Sequence, residues 1–397
     1  MTPHAPASPL KVAQVATVAI SVTNLMKGWP NFLREQGFEV HTVCSPGPGL
    51  DEFARREGIR TAHTIEIARR ISPLADLVSL WRLYRLFRRE RFALVHSSTP
   101  KGGFLGMLAA WLARTPARVY TLRGLPLAST RGLKRRILWL CDWLTMRAAH
   151  RVTAISASLR DEAVELGLAP PGRIIVVNRG SSNGIDVERF TRRAPAPQSE
   201  ARQRWNIPPE ALVIGYAGRI VRDKGIVELH AAWQRVRAQV PGTMLLLLGD
   251  PEPEDPVPPE VLGSLRADER VRMPGWQSNM VLGFEAMDLL ALPTYREGFG
   301  NVLLEANAMG LPVIATDISG CRDAVADGET GTLVPPRDAE ALAAAMLTLV
   351  RDGALRSRMG NAGRARVERD FRPEVIWRGL LEVYASVLPA GAVDRAS

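Results

Sequence analysis

The sequence predicts an α/β protein of two doubly wound, Rossmann-like domains. Three observations lead there. Short apolar runs alternate with segments of helical periodicity through both halves of the chain. The polar, proline-bearing stretch 192–210 separates the halves and reads as a linker. The 397 residues, 46% of them hydrophobic, suit two domains with sizeable cores. The expected limits are 1–191 for the first domain and 211–372 for the second.

In the first half the apolar runs predict strands over 13–18, 40–44, 94–97, 118–122, 152–155 and 173–177. In the second half they predict strands over 212–216, 244–248, 270–273, 289–292, 312–315 and 332–334. Between them lie amphipathic stretches such as 228–239 and 339–351. That alternation implies parallel sheets with helices on both faces. Ligand sites are then expected at the carboxyl ends of the strands.

Composition narrows the function. No run of 18 apolar residues is present, so no spanning helix is expected. The apolar run from Val12 to Val22 follows one lysine and lacks a signal-type cleavage region, so it reads as a first buried strand. Cys44, Cys141 and Cys321 are widely spaced and form no metal or redox motif. No disulfide is expected, and a reducing cytoplasm fits. Residues 1–200 hold 29 basic and 15 acidic side chains, against 22 and 26 in the remainder. A basic half suggests an anionic partner. A membrane, a phosphorylated lipid and nucleic acid all qualify, as does an arginine-rich surface with no partner.

The most informative stretch is Arg296-Glu297-Gly298-Phe299-Gly300-Asn301-Val302-Leu303-Leu304-Glu305. Glu297 ends a glycine turn after a buried strand, and Glu305 is expected about two turns into the next helix. A strand, a glycine turn and a helix N-terminus make an anion site. A carboxylate at its mouth suits the hydroxyls of a sugar attached to the anion, because an ionised carboxylate accepts from them. The plainer alternative is a dipole-favoured Glu297 and a solvated Glu305. No G-x-x-x-x-G-K-[ST] loop, dinucleotide fingerprint or D-x-D pair is present. The loop Gly249–Pro258, with Asp250 and Asp255, reads as a plain surface loop. No metal and no cofactor are expected.

This pattern, continued through NVLLEANAMGLPVIATDISGCRDAVADGETGTLV, resembles the E-x7-E signature of family 4 retaining glycosyltransferases of the GT-B fold. The resemblance implies two domains facing across a cleft, with a last helix near 373–388 crossing back to the first. It implies a nucleotide diphosphate sugar, UDP-sugar by preference, in the second domain. Gly218-Arg219-Ile220-Val221-Arg222-Asp223-Lys224-Gly225 is similar to the family's G-R-x4-K-G segment. Arg219 and Lys224 would then neutralise the leaving diphosphate in place of a metal. Glu305 would accept the ribose hydroxyls and Glu297 would contact the transferred sugar. Backbone N–H groups of Gly298, Phe299, Gly300 and Asn301 would serve sugar and phosphate, and Gly218 and Val302 complete the donor set. Trp276 either approaches the base through its backbone or packs in the core.

In the first half, His96–Gly103, Thr121–Pro126 and Gly180–Asp186 resemble the branch that extends polyprenyl-diphosphate-linked sugars for capsule, O-antigen or protein glycans. Arg123 stands where many members carry a histidine. It would touch the donor sugar, bind an acceptor phosphate together with Lys101, or hold a loop. His96 reads as a strand-end structural residue. Leu74–Arg91 and Arg131–Arg147 mix arginines with aromatics and leucines. Such helices lie in headgroup regions or pack as ordinary domain helices.

The expected function is a metal-independent, retaining hexosyltransferase acting on a lipid-linked saccharide. It would work in the cytoplasm, peripherally on the inner face of an anionic membrane, without nucleic acid. The expected catalytic residues are Glu297, Arg219, Lys224 and Arg123. The alternatives are a GT-B nucleotide-sugar epimerase and a non-catalytic, basic membrane-binding protein with a transferase fold.

Overall fold

The computed structural model describes residues 9–68, 70, 72–192 and 200–389, with only the backbone of 128 and 129. These residues fall into two compact units, one within Met1–Gly184 and Pro373–Ser397, the other Ile185–Arg372.

The first unit opens with β1 (Leu10–Val18), α1 (Ala19–Leu25), α2 (Trp29–Glu35), β2 (Phe38–Ser45), α3 (Leu50–Arg56) and β3 (Thr61–Thr64). It continues with α4 (Pro73–Glu90), β4 (Leu94–Ser98), α5 (Pro100–Leu112), β5 (Ala117–Leu122), α6 (Gly132–Ala148), β6 (Arg151–Ala154), α7 (Ala157–Glu165) and β7 (Ile174–Val176). The second unit holds α8 (Glu200–Arg204), β8 (Leu212–Ala217), α9 (Ile226–Gln239), β9 (Thr243–Leu248), α10 (Pro259–Ala267), β10 (Val271–Gly275) and α11 (Met280–Glu285). Then follow β11 (Leu289–Leu292), α12 (Asn301–Ala308), β12 (Val313–Thr316), α13 (Cys321–Ala324), β13 (Gly331–Val334), α14 (Ala339–Arg351) and α15 (Gly353–Asp370). The last helix, α16 (Pro373–Ala385), belongs to the first unit.

Each unit has one parallel sheet, ordered β3-β2-β1-β4-β5-β6-β7 and β10-β9-β8-β11-β12-β13. Both faces of a parallel sheet are covered by helices, so its central strands read as unbroken apolar runs. β9 (TMLLLL) and β11 (LLAL) are buried at every position. The strand order reverses between β1 and β4 in one unit and between β8 and β11 in the other. These are the switch points where open α/β sheets place ligands.

The core of the first unit gathers Val12, Leu33, Val40 and Leu94 with Tyr384 of α16. Trp29 meets the Tyr384 ring edge-on, at 5.7 Å between centroids. Gln14 is buried in β1 and donates to the Tyr384 hydroxyl at 2.9 Å, which satisfies it.

The doubly wound architecture is the one the alternation predicts, with two local differences. β3 escapes the sequence pattern because TAHT is short, polar and at the sheet edge, where one face is not buried. The expected linker 192–210 is only partly loop. Residues 193–199 lie outside the described residues. Glu200–Arg204 is helical, and Arg202 is buried with its guanidinium 2.8 Å from Asp288 Oδ2. A buried charge needs such a partner, and this one lies far along the chain.

Candidate active site

The candidate site grows from the ends of β8 and β11 in the second unit. β8 runs into Gly218, and the buried Tyr216 hydroxyl donates to the Arg219 carbonyl at 2.6 Å. A tight turn over Arg222–Lys224 closes on Gly225, at φ +72°. A Cβ there would stand 1.9 Å from the Pro293 carbonyl oxygen, so only glycine lets the two loops touch. The Tyr295 N–H donates to the Asp223 carbonyl at 2.8 Å. This close packing brings Lys224 Nζ to 2.7 Å from Glu297 Oε2 and 3.3 Å from the Arg296 carbonyl.

Past Glu297, Gly300 takes a left-handed φ of +72° and starts α12 at Asn301. The first turn of a helix leaves its N–H groups without intrahelical partners, here those of Asn301 and Val302. The Gly298 N–H points back to Glu297 Oε1 at 3.3 Å. Phe299 is buried against Phe371, with centroids 5.9 Å apart, and anchors the turn. Asn301 Oδ1 is buried and makes no hydrogen bond among the described residues. Such an acceptor suits a ligand hydroxyl.

Glu305 is the fifth residue of α12, just over one turn in rather than two, because the helix begins at 301. Burial pushes its carboxyl up to about 7, opposed only in part by the Arg189 charge. Near neutral pH the ligand-free side chain is therefore divided between acid and carboxylate.

The loop Gly249–Pro258 is not the plain surface loop its prolines suggest. Asp255 Oδ2 accepts from the Asp223 N–H at 2.7 Å, and the Asp255 carbonyl accepts from the Arg222 N–H at 3.0 Å. Asp250 Oδ1 accepts from the Trp276 N–H at 3.2 Å. Glu252 holds Arg219 Nη1 at 2.8 Å. One acidic loop thus braces the turn bearing Lys224, the Trp276 backbone and the Arg219 side chain. The only signal in the sequence is the spacing of acids between prolines in DPEPEDP. Trp276 is 70% exposed, so core packing does not explain it. Among the described residues no group of three or more His, Cys, Asp or Glu side chains could hold a metal ion.

In the first unit Arg123 is deeply enclosed, and burial lowers its pKa to about 10. Its Nη1 donates to the Ser182 carbonyl at 2.9 Å and hydroxyl at 2.7 Å, which ties β5 to the 180–186 segment. Of the roles left open for Arg123, holding a loop is the one this geometry displays. Its Nε is buried without a hydrogen-bond partner among the described residues. Lys101 Nζ pairs with Asp76 Oδ1 of α4 at 2.6 Å and donates to the Arg70 carbonyl. His96 sits between the Tyr384 hydroxyl at 2.7 Å and the Thr121 hydroxyl at 2.6 Å. Burial, aided by the Arg123 charge, lowers its pKa to about 3, so it is a neutral structural node.

Residues 197–366 match the family model for glycosyl transferases group 1, and residues 18–180 that for the glycosyl transferase 4-like domain. The chain is 36% identical to the capsular polysaccharide biosynthesis glycosyltransferase CapM of Staphylococcus aureus, over 95% of this chain and 97% of CapM. It is 25% identical to the UDP-Gal:alpha-D-GlcNAc-diphosphoundecaprenol alpha-1,3-galactosyltransferase of Escherichia coli, over 81% and 83% of the two chains. Among solved structures, Anabaena HepE in complex with UDP and glucose gives a TM-score of 0.78 at 19% identity, over 95% of this chain and 100% of HepE. Sucrose-phosphate synthase of Thermosynechococcus elongatus gives 0.73 at 22% identity, over 95% and 98%. Two doubly wound units, each matched by its own model, and a relative alike along nearly its whole length place this chain in a known group: it belongs to the group 1, family 4-like glycosyltransferases of the GT-B fold.

Proposed function

We propose that this glycosyltransferase transfers a sugar from a UDP-sugar to a hydroxyl of a lipid-linked saccharide. Transfer retains anomeric configuration, needs no metal and takes place at an anionic membrane surface during surface polysaccharide synthesis. The observation that carries this reading is the Lys224–Glu297 pair beside the first turn of α12, at the switch point between β8 and β11.

The donor diphosphate lies at the free N–H groups of α12, with Lys224 and Arg219 as counter-charges. Glu305 accepts the ribose hydroxyls, and Glu297 orients the transferred sugar. The bond from the anomeric carbon to the diphosphate oxygen breaks. The acceptor oxygen forms its bond on the same face, and its proton passes to the departing diphosphate oxygen. Lys224, Arg219 and the helix dipole stabilise the charge that develops there.

UDP as donor is supported by HepE, whose structure holds UDP and glucose. A lipid-linked acceptor and capsule synthesis are supported by the names of the Escherichia coli and Staphylococcus aureus relatives. Membrane contact is supported by α6, which exposes Leu133, Ile137 and Leu140 beside Lys134, Arg135 and Arg136. No helix among the described residues is long and apolar enough to cross a membrane.

The test is to incubate the protein with each UDP-sugar and a polyprenyl-diphosphate-linked sugar, with and without chelator, and to assign the product anomer by NMR. Retained configuration at an unchanged rate in chelator is expected. Inversion, or loss of activity with chelator, overturns the mechanism. Interconversion of the donor sugars without transfer would instead identify an epimerase.

A further inference from the structure

At the outer edge of the first unit's sheet, the end of β3 and the second half of α4 enclose a groove of about 580 Å³. Arg82, Arg85, Arg88 and Arg89 line it with Trp81 and Tyr84, and none of its lining residues is acidic. Arg89 pairs with Glu90 at 3.0 Å, and Arg85 lies 4.7 Å over the Trp81 ring. Among the described residues no carboxylate pairs with Arg82, Arg85 or Arg88. Guanidinium groups gathered around one groove repel one another, and a bound anion removes that penalty. Their planar forks match phosphate oxygens two at a time.

The same helix shows what kind of anion fits. Leu74, Leu77, Val78 and Trp81 recur at i, i+3, i+4 and i+7, so they share one face of α4. They are 83%, 64%, 48% and 54% exposed. Trp81 belongs to both features, so the apolar stripe runs into the basic groove. A free phosphate, an acidic peptide or a nucleic acid would engage the arginines and leave the stripe in water. A phosphate carried on a hydrocarbon chain covers both.

We infer that the α4–β3 groove is a second anion site, separate from the donor site, that takes the phosphate of an anionic lipid while the Leu74–Trp81 stripe enters the acyl layer. This inference rests on the membrane contact proposed above and adds to it a defined headgroup site. Neither depends on the donor chemistry.

The test uses the full chain and vesicles of phosphatidylcholine, with or without about a third phosphatidylglycerol. Wild type should sediment with the anionic vesicles. The triple variant Arg82→Gln/Arg85→Gln/Arg88→Gln should bind them on the order of 100-fold more weakly, at about a tenfold or smaller loss per basic residue. Leu74→Ser/Leu77→Ser should also lose vesicle binding, yet keep any thermal stabilisation by inorganic phosphate. Stabilisation by phosphate in wild type, without vesicle binding, would make the ligand a free phosphate and overturn the lipid assignment. Vesicle binding that survives the arginine changes but not Leu133→Ser/Ile137→Ser/Leu140→Ser would sink the groove and leave the membrane reading standing. No vesicle binding by wild type would remove both, while the transfer assay still judges the donor site. If the triple variant does not fold, Arg85→Glu alone supplies the same readout on an exposed side chain.

Discussion

Lys224 Nζ stands 2.7 Å from Glu297 Oε2 although 73 positions separate the two residues. The strand order makes this possible. β8 and β11 are neighbours, their carboxyl ends open side by side, and Gly225 lets the two loops come into contact. The pair is 14% and 25% exposed, shielded enough to matter and open enough to admit a ligand. Lys224→Ala leaves the Glu297 carboxylate unpaired and should cost about 1–2 kcal/mol of stability, between the surface and buried limits. It should also weaken UDP binding by roughly tenfold or more, the worth of one charge-assisted hydrogen bond. Glu297→Gln should fold normally and lower kcat more than it raises KM if, as proposed, the side chain orients the sugar and not the nucleotide. Calorimetric titration with UDP and steady-state rates measure the two effects.

Glu305 links stability to pH and, in the proposed site, donor binding as well. The folded side chain keeps its proton up to about 7, whereas the free carboxyl releases it near 4.5. Between those values the folded state holds more protons, so stability falls as pH rises. The contribution is complete below about 4.5 and lost above about 7. Glu305→Gln stays neutral at every pH, so its melting temperature should gain on wild type as pH rises from about 4.5 to about 7 and keep that gain above 7. In the proposed donor complex a ribose hydroxyl donates to the ionised carboxylate, so UDP affinity in wild type should rise through about pH 7 with proton release. Titrations in two buffers of different ionisation heat detect that proton. A pH-independent affinity would remove Glu305 from the ribose.

Tyr384 tests the structural reading of His96. Its hydroxyl joins α16 to β1 through Gln14 and to β4 through His96 Nδ1. Tyr384→Phe strips a partner from two buried polar groups, at about 1–3 kcal/mol each. Urea unfolding should register a loss of about 2 kcal/mol or more. Folded His96 stays neutral down to about 3 while the unfolded imidazole protonates near 6.5, so its contribution is lost as pH falls below about 6.5. A variant with unchanged stability but lost transfer would make His96 and Tyr384 part of the chemistry.

The sheets were legible because their strands are buried on both faces, and double burial writes unbroken apolar runs into the chain. β3 was not, since an edge strand of Thr and His carries no such run. Within the site, Lys224, Glu297 and Glu305 stand in a recognisable spacing. Their supports do not: Asp255 serves the backbone N–H of Asp223, 32 positions away, and Arg123 serves Ser182, 59 positions away. Pairings of that kind follow no period along the chain. Arg202 shows the converse difficulty, a charge in a polar, proline-bearing stretch that is buried only because Asp288 waits for it.

Arg219 offers a sharper test than its own removal. In the ligand-free protein its guanidinium is held by Glu252 at 2.8 Å, and that hydrogen bond raises the pKa of Arg219 further. Both side chains are substantially exposed, so the pair is worth about 0–1 kcal/mol. A diphosphate that binds Arg219 must displace Glu252 or share the guanidinium with it, and a carboxylate beside a diphosphate adds repulsion. Glu252→Gln should therefore tighten UDP binding up to about fivefold at low salt, the equivalent of ~1 kcal/mol, and the gain should shrink as salt screens the repulsion. Arg219→Gln should weaken binding and abolish the effect of Glu252→Gln, so the double variant should bind no better than Arg219→Gln alone. Fully additive effects would mean that Glu252 acts on the donor without Arg219, whereas an Arg219→Gln variant that binds UDP as wild type does would remove the guanidinium from the groups that hold the diphosphate.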